Sequence, residues 1–174
     1  VGTYLVQKYG LTNAYVPYYE ILTFGDNISG SSAVITTTDP THGTIAWALP
    51  PWVDVTNAAP TYTLSPYARE DAAHPSGATR NFTGPVTYTI TDAALAPQKT
   101  YTVTTTVGVY PPNNNFVDAR LLPGDNGTTN GSGNVYATFE AGEPICNYAS
   151  TTNTVWFKWV CSQRGRFTIS TVGS

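Results

Sequence analysis

Two histidines are the only side chains here that could act as an imidazole base, and both sit in turn-forming words: His42 in "PTHGT" and His74 in "AHPSG". Hydrolysis by a serine or cysteine nucleophile needs a base within reach and a third group to orient it. Neither histidine adjoins a G-x-S-x-G elbow, so both read as solvated turn residues. Paired carboxylates could cleave a glycosidic bond. The candidates are Glu70 with Asp71, beside Arg69, and Glu140 with Glu143 on either side of an Ala-Gly pair. Each reads as surface loop. No glycine-rich loop ending in Lys is present to cradle phosphate. A hard cation such as calcium wants several oxygens converging from loops. Asp118, Asp125, Glu140 and Glu143, with the loop "PGDNGTTNGSGN", supply oxygens without the spacing of a calcium motif. The chain therefore reads as non-enzymatic, with no catalytic residue, metal or cofactor implied.

Binding chemistry is better represented. The four tryptophans are Trp47, Trp52, Trp156 and Trp159, and an aromatic face can stack on the apolar face of a sugar. In "VWFKWV" both faces of a strand would carry a tryptophan, which a strand buried on both sides would also show. Trp52 follows Pro50 and Pro51 and is the candidate for an exposed, glycan-stacking tip. Cys146 and Cys161 lie in one segment. They read as a disulfide in a secreted protein, or as two buried free thiols. No C-x-x-C supports a zinc or thioredoxin-type site. Asn27, Asn81, Asn126 and Asn130 open N-x-[ST] words and are candidate glycosylation acceptors.

The elements that must position these groups are strands. Only 11% of the 174 residues are charged, and there is no Met. Thr, Ser, Asn, Gly and Pro fill the space, which favours strands and turns over helix. "TYTVTTTV" at 100–107, "VTYTI" at 86–90 and "TIAWAL" at 44–49 alternate apolar with small or hydroxylated residues. That two-residue rhythm puts one face inward. Turn words at 39–43, 49–52, 74–77 and 83–85 separate the runs, the pattern of a β-sandwich. The expected core is Ile45, Trp47, Tyr62, Leu64, Phe82, Tyr88, Ile90, Tyr101 and Val103. "GVYPPNNN" at 108–115 reads as a stiff, solvated linker. Beyond it "NVYATFE", "TVWFKWV" and "RFTISTV" read as three further strands, and 121–134 as a polar loop.

Residues 20–107 resemble the immunoglobulin-like repeats of bacterial surface proteins. The words "ILTFG", "VTNAAPTYTLSP", "SGATRNFTGPVTYTIT" and "KTYTVTTTV" carry the resemblance. "DAALAPQ" at 92–98 and "YAREDAA" at 67–73 depart from it. Residues 113–174 are similar to the jelly-roll-like modules related to bacterial pre-peptidase C-terminal domains, through "NNNFVDARLLPG", "ATFEAGEP", "TVWFKWV" and "GRFTISTVGS". These resemblances imply an all-β chain, an immunoglobulin-like sandwich followed by a partial jelly-roll-like module. The expected organisation is an arm or the end of a preceding repeat at 1–19, a sandwich at 20–108, a linker at 109–115 and a partial second module at 116–174. The chain reads as a mature or excised piece of something longer.

Net charge is −3 and the eight Lys and Arg form no stripe, so nucleic acid is excluded as a partner. No apolar run reaches the roughly 20 residues of a membrane-spanning helix. The expected role is a secreted, cell-surface structural or adhesive module that associates through strand edges with itself or with neighbouring domains, extending to a subunit of an extracellular fibre. The alternatives are a carbohydrate-binding module, with glycans as partners, and an accessory domain of a larger secreted enzyme.

Overall fold

The period-two pattern at 42–49 sets the architecture. Gly43, Ile45, Trp47 and Leu49 are buried, and the residues between them face solvent. The computed structural model describes residues 19–26, 31, 33–70, 72–124, 127, 129, 133–143 and 153–170. The arm expected over 1–19 lies outside these, Tyr19 excepted. The chain divides into two units, Val1–Val107 and Gly108–Ser174.

The first unit carries β1 (Ile21–Gly25), β2 (Ala33–Asp39), β3 (His42–Leu49), β4 (Thr61–Leu64), β5 (Arg69–Glu70), β6 (Val86–Thr91) and β7 (Pro97–Val107). A two-stranded sheet, β1-β4, faces a five-stranded sheet ordered β2-β3-β7-β6-β5. All pairings are antiparallel except β3 with β7, which run parallel from His42↔Thr100 to Leu49↔Val107. This is an all-β, sandwich-like fold.

Aromatic side chains fill the space between the sheets. The Phe24 ring of β1 meets Trp47 and Tyr88 edge-on, each with centroids 5.4 Å apart, and stacks on Tyr62 at 6.1 Å. Trp47 in turn meets Phe82 edge-on at 5.2 Å, and its indole N–H donates to Ser31 Oγ at 2.9 Å. Edge-to-face geometry suits the ring quadrupoles, and the polar handle is satisfied. Close packing also fixes one glycine. A Cβ on Gly43 would run into the ring of Tyr101, its β7 neighbour in register. Eight of the nine expected core residues are buried, and Leu64 is partly buried against the same cluster. Ile21, Phe24, Leu49 and Ala58 complete it.

One buried group is charged. Lys99, 2% exposed, points its Nζ at Glu20 Oε1, 2.7 Å away. It also donates to Thr37 Oγ1 at 3.2 Å, and the Tyr101 hydroxyl donates to Glu20 Oε2. Burial first, and then the Glu20 carboxylate, push the Tyr101 hydroxyl well above the usual phenol range. Three segments, the lead-in to β1, β2 and the start of β7, are tied together at one place.

Two segments differ from expectation. The insert at 67–73 is not all loop, because Arg69–Glu70 adds an edge strand to β6. The enlarged turn at 92–98 is ordered by one side chain. Asp92 Oδ1 accepts the N–H groups of Ala94 (2.8 Å) and Ala96 (3.0 Å), and Oδ2 accepts from Gln98 Nε2 at 3.1 Å. That fixes Leu95 at φ 61° with its side chain in solvent.

The second unit departs further. Its described strands are two residues long each, β8 (Arg120–Leu121) and β9 (Phe157–Lys158), and they pair in parallel. "NVYATFE" forms a turn at 135–136 and irregular backbone to 140, and 166–170 is irregular. The three strands expected there do not form, apart from β9. Alternation makes a strand only when a neighbouring backbone meets it. Here Trp156 N–H donates to Asn113 O at 2.8 Å, and Arg120 N–H donates to Trp156 O at 3.0 Å, so the contacts stop after a few residues. Two of the three asparagines expected in a solvated linker are buried instead, and Asn115 is exposed. Asn113 is 1% exposed and donates from Nδ2 to Trp156 O at 2.9 Å. Asn114 exchanges hydrogen bonds with Thr138, accepting its N–H at 2.7 Å and donating to its Oγ1 at 2.9 Å. An amide has both donors and acceptors, so it can close two backbone ends where an apolar side chain could not.

Removing one partner of the buried pair strands the other charge, so Glu20→Ala should cost about 3–5 kcal/mol in urea unfolding of the full chain. The double variant Glu20→Met/Lys99→Met should lie closer to wild type, because both charges leave together. Gly43→Ala should cost about 1–3 kcal/mol in the same assay, by overpacking against Tyr101.

Candidate functional site

The hairpin between β2 and β3 gathers a threonine, a histidine and an aspartate. Asp39 Oδ1 accepts the Thr41 N–H at 2.7 Å and the Thr41 hydroxyl at 2.9 Å. Both Asp39 oxygens lie 3.0 Å from His42 Nδ1, and Thr41 Oγ1 meets that same nitrogen at 3.0 Å. A catalytic relay needs the two ring nitrogens to serve different partners. Here both partners share one nitrogen, so the cluster locks a turn. The hydrogen bonds from the Thr41 backbone and side chain, then His42, hold the Asp39 carboxyl down at about 2.

His74 contacts aromatic side chains with both its ring and its backbone. Its ring lies 5.1 Å from the Tyr88 ring, and its carbonyl accepts the Tyr62 hydroxyl at 2.5 Å. Glu70 is a brace rather than free loop, accepting the Tyr62 hydroxyl at 3.0 Å and the Ser76 N–H at 2.9 Å. Asp71 lies outside the described residues. Glu140 accepts the Phe116 N–H at 2.7 Å. Glu143 accepts the Thr154 hydroxyl at 2.8 Å, the Trp156 indole N–H at 3.1 Å and the Glu140 N–H at 3.0 Å. Desolvation pushes the Glu143 carboxyl up, but these three donors outweigh it and hold it below its ordinary range. Among the described residues no three His, Cys, Asp or Glu come together as metal ligands, and Asp125 lies outside them.

Cys161 is a free, exposed thiol, so the expected bridge to Cys146 is not present. Its Sγ is turned toward its own loop, donating to Gln163 O at 2.5 Å. Cys146 lies outside the described residues, as do Asn27, Asn126 and Asn130. Asn81 is exposed, with its side-chain oxygen accepting the Thr83 N–H at 2.9 Å and hydroxyl at 2.8 Å.

The tryptophans divide into three kinds. Trp47 is core. Trp52 is 56% exposed at the tip of a turn closed by Val53 N–H donating to Pro50 O at 3.2 Å. Pro51 fixes the backbone there, so the ring is presented on a rigid base. Trp156 is a brace between Glu143 and the Phe116 ring, which it meets edge-on at 5.2 Å.

Trp159 lines a cavity in the second unit, of about 440 Å³. Leu122, Pro123, Trp159, Arg166, Phe167 and Ile169 form much of its wall. The Trp159 indole N–H donates to Gly124 O at 2.9 Å, which fixes the ring, and Phe167 approaches it at 4.4 Å with the planes 64° apart. The backbone of 166–170 passes along the wall without forming a strand. A fixed aromatic pair beside a cation and several threonine and serine oxygens can stack on a ring and hydrogen-bond its rim. Sequence reasoning singled out Trp159 as one of an ambiguous pair. It missed Arg166 and Phe167, because the strand rhythm of "RFTIS" masked them as ordinary sheet residues.

Residues 21–105, nearly the whole of the sandwich, match the family described as SGBP, N-terminal. Among solved structures the chain is similar to a candidate glycoside hydrolase from Bacteroides thetaiotaomicron, with 28% identity and a TM-score of 0.45. That match covers 60% of this chain and 30% of that one, so the chain spans under a third of that protein's length. It is also similar to a candidate secreted protein from Bacteroides fragilis, with 17% identity and a TM-score of 0.37 over 53% of this chain and 98% of that one. No curated protein matches the chain.

A carboxyl whose folded pKa is depressed stabilises the fold above its unfolded value and loses that contribution as pH falls. Asp39, ordinarily at 3.8, should therefore titrate near 2 in an NMR pH series. The protection factor of the Thr41 amide, its intrinsic exchange rate divided by the observed one, should fall as pH drops from about 4 toward 2. Thr41→Ala should move the Asp39 midpoint up toward 3.8, since the Thr41 hydroxyl is the second-largest stabiliser of the anion.

Proposed function

We propose that the chain is a non-catalytic, glycan-binding part of a secreted cell-surface protein. The sandwich serves as a rigid carrier, and the second unit's cavity and the Trp52 tip provide the sugar contacts. The observation that carries this reading is the match of residues 21–105 to the SGBP N-terminal family, SGBP standing for surface glycan-binding protein. Several features support it. The composition is that of a Thr-, Ser- and Asn-rich extracellular domain. The His42 and His74 surroundings serve turns and packing. The fixed Trp159 ring has the form that stacking on a sugar requires.

On this reading the structural role expected from sequence is the same molecule seen from its sandwich, which holds a binding surface away from its anchor. Glycan contact, rather than fibre assembly, is what the exposed aromatics favour. An accessory place beside a catalytic domain is compatible with the same chemistry, since a binding module concentrates an enzyme on its substrate.

The full chain, run in native gels containing neutral or acidic polysaccharides, should be retarded by at least one of them. Trp159→Ala should weaken the retarding interaction about tenfold or more, with the far-ultraviolet spectrum unchanged. Trp52→Ala should weaken it less, because Trp52 is not among the residues that line the cavity. Migration unchanged by every polysaccharide tried would overturn the proposal.

A further inference from the structure

We infer that the second unit's cavity selects a carboxylated oligosaccharide, one built from uronic acids, with Arg166 as the residue that reads the carboxylate. The inference rests on the glycan-binding reading and names its substrate class. The 440 Å³ cavity sets Arg166 on the same wall as the Trp159–Phe167 aromatic pair. Among the described residues the Arg166 side chain has no hydrogen-bond or ion-pair partner. Its charge is thus unspent on the fold, whereas Lys99 in the sandwich is committed to Glu20.

The unit is balanced overall, with four Lys and Arg against four Asp and Glu over residues 108–174, so the preference comes from Arg166 itself. A carboxylate is one anion that a single arginine can read. One planar guanidinium fork matches the two coplanar oxygens of a carboxylate in a bidentate pair. A uronic acid also keeps the apolar ring face that Trp159 can stack against. A neutral hexose would satisfy the aromatic wall and leave Arg166 without a partner.

The test compares oligogalacturonate with its methyl ester, which keeps the sugar backbone and removes the charge, by titration calorimetry on the full chain. The acid should bind about tenfold tighter than the ester at low salt, and the difference should shrink as sodium chloride is raised. Arg166→Gln should abolish the preference, bringing the acid and the ester to equal affinity. Arg166→Lys should restore only part of it, since the charge returns without the fork. Equal affinity for acid and ester in the wild type, a result that needs no variant, would overturn the inference, as would a preference untouched by Arg166→Gln. Tighter binding of a sulfated chain such as heparin than of oligogalacturonate would overturn the choice of carboxylate. If the ester or a neutral oligosaccharide binds and Trp159→Ala abolishes it, the glycan reading stands although the acidic preference has failed. If neither acid, ester nor neutral sugar binds, both fall.

Discussion

The sandwich depends on one ring. Phe24 lies between the two sheets and touches Trp47, Tyr62 and Tyr88, so the two-stranded sheet adheres to the five-stranded one through it. The strand that carries it, β1, has just five residues and one ladder partner, β4. Five residues of backbone hydrogen bonding cannot hold a strand unaided. Side-chain burial on the inner face must do most of it, and a phenyl ring removed from water contributes roughly 2–3 kcal/mol. The Glu20–Lys99 pair adds position to that adhesion. Its net contribution to stability is small once desolvation is counted, but it ties the lead-in to β1 to the start of β7 in the other sheet.

The two units show opposite solutions to closing a β-structure. The sandwich closes with apolar and aromatic side chains, and its polar exceptions are paired. The second unit closes around amides and carboxylates: Asn113 donates its side-chain amide to the Trp156 carbonyl, and Asn114, Glu140 and Glu143 each capture a backbone or side-chain donor from another segment. Its large apolar side chains remain substantially exposed, Ile169 at 75% among them. The difference explains why the cavity lies where it does. A wall built from an irregular segment, not a paired strand, leaves room beside Trp159 that a continuous sheet would have filled.

Most of the sandwich was legible in the sequence because burial there follows the two-residue rhythm. Ile45, Trp47, Tyr88, Ile90, Tyr101 and Val103 all obey it. β2 was not legible, since "VITTTD" is an edge strand with little to bury and therefore carries a weak signal. β5 was hidden by its charges, which an edge position tolerates. In the second unit the rhythm misled. "RFTIS" alternates like a strand, but no backbone meets it, and sequence pattern does not report whether a partner arrives. The asparagines misled for a related reason: composition marks Asn as a loop residue, while the structure uses its amide as a two-way connector. Of the candidate site, Trp52 was legible from the two prolines ahead of it. Arg166 was not, because an unpaired cation is identified only when its neighbours are known.

The salt link between Glu20 and Lys99 also sets how the first unit transmits load. It fixes the start of β1 beside the start of β7, and the described sandwich ends at Val107, eight residues further along β7. At about 3.3 Å per residue those two points lie roughly 26 Å apart along the strand direction. β1 and β7 belong to different sheets, so tension applied across them is borne by the Glu20–Lys99 pair and by the Phe24 contacts with Trp47 and Tyr88 rather than by a backbone ladder.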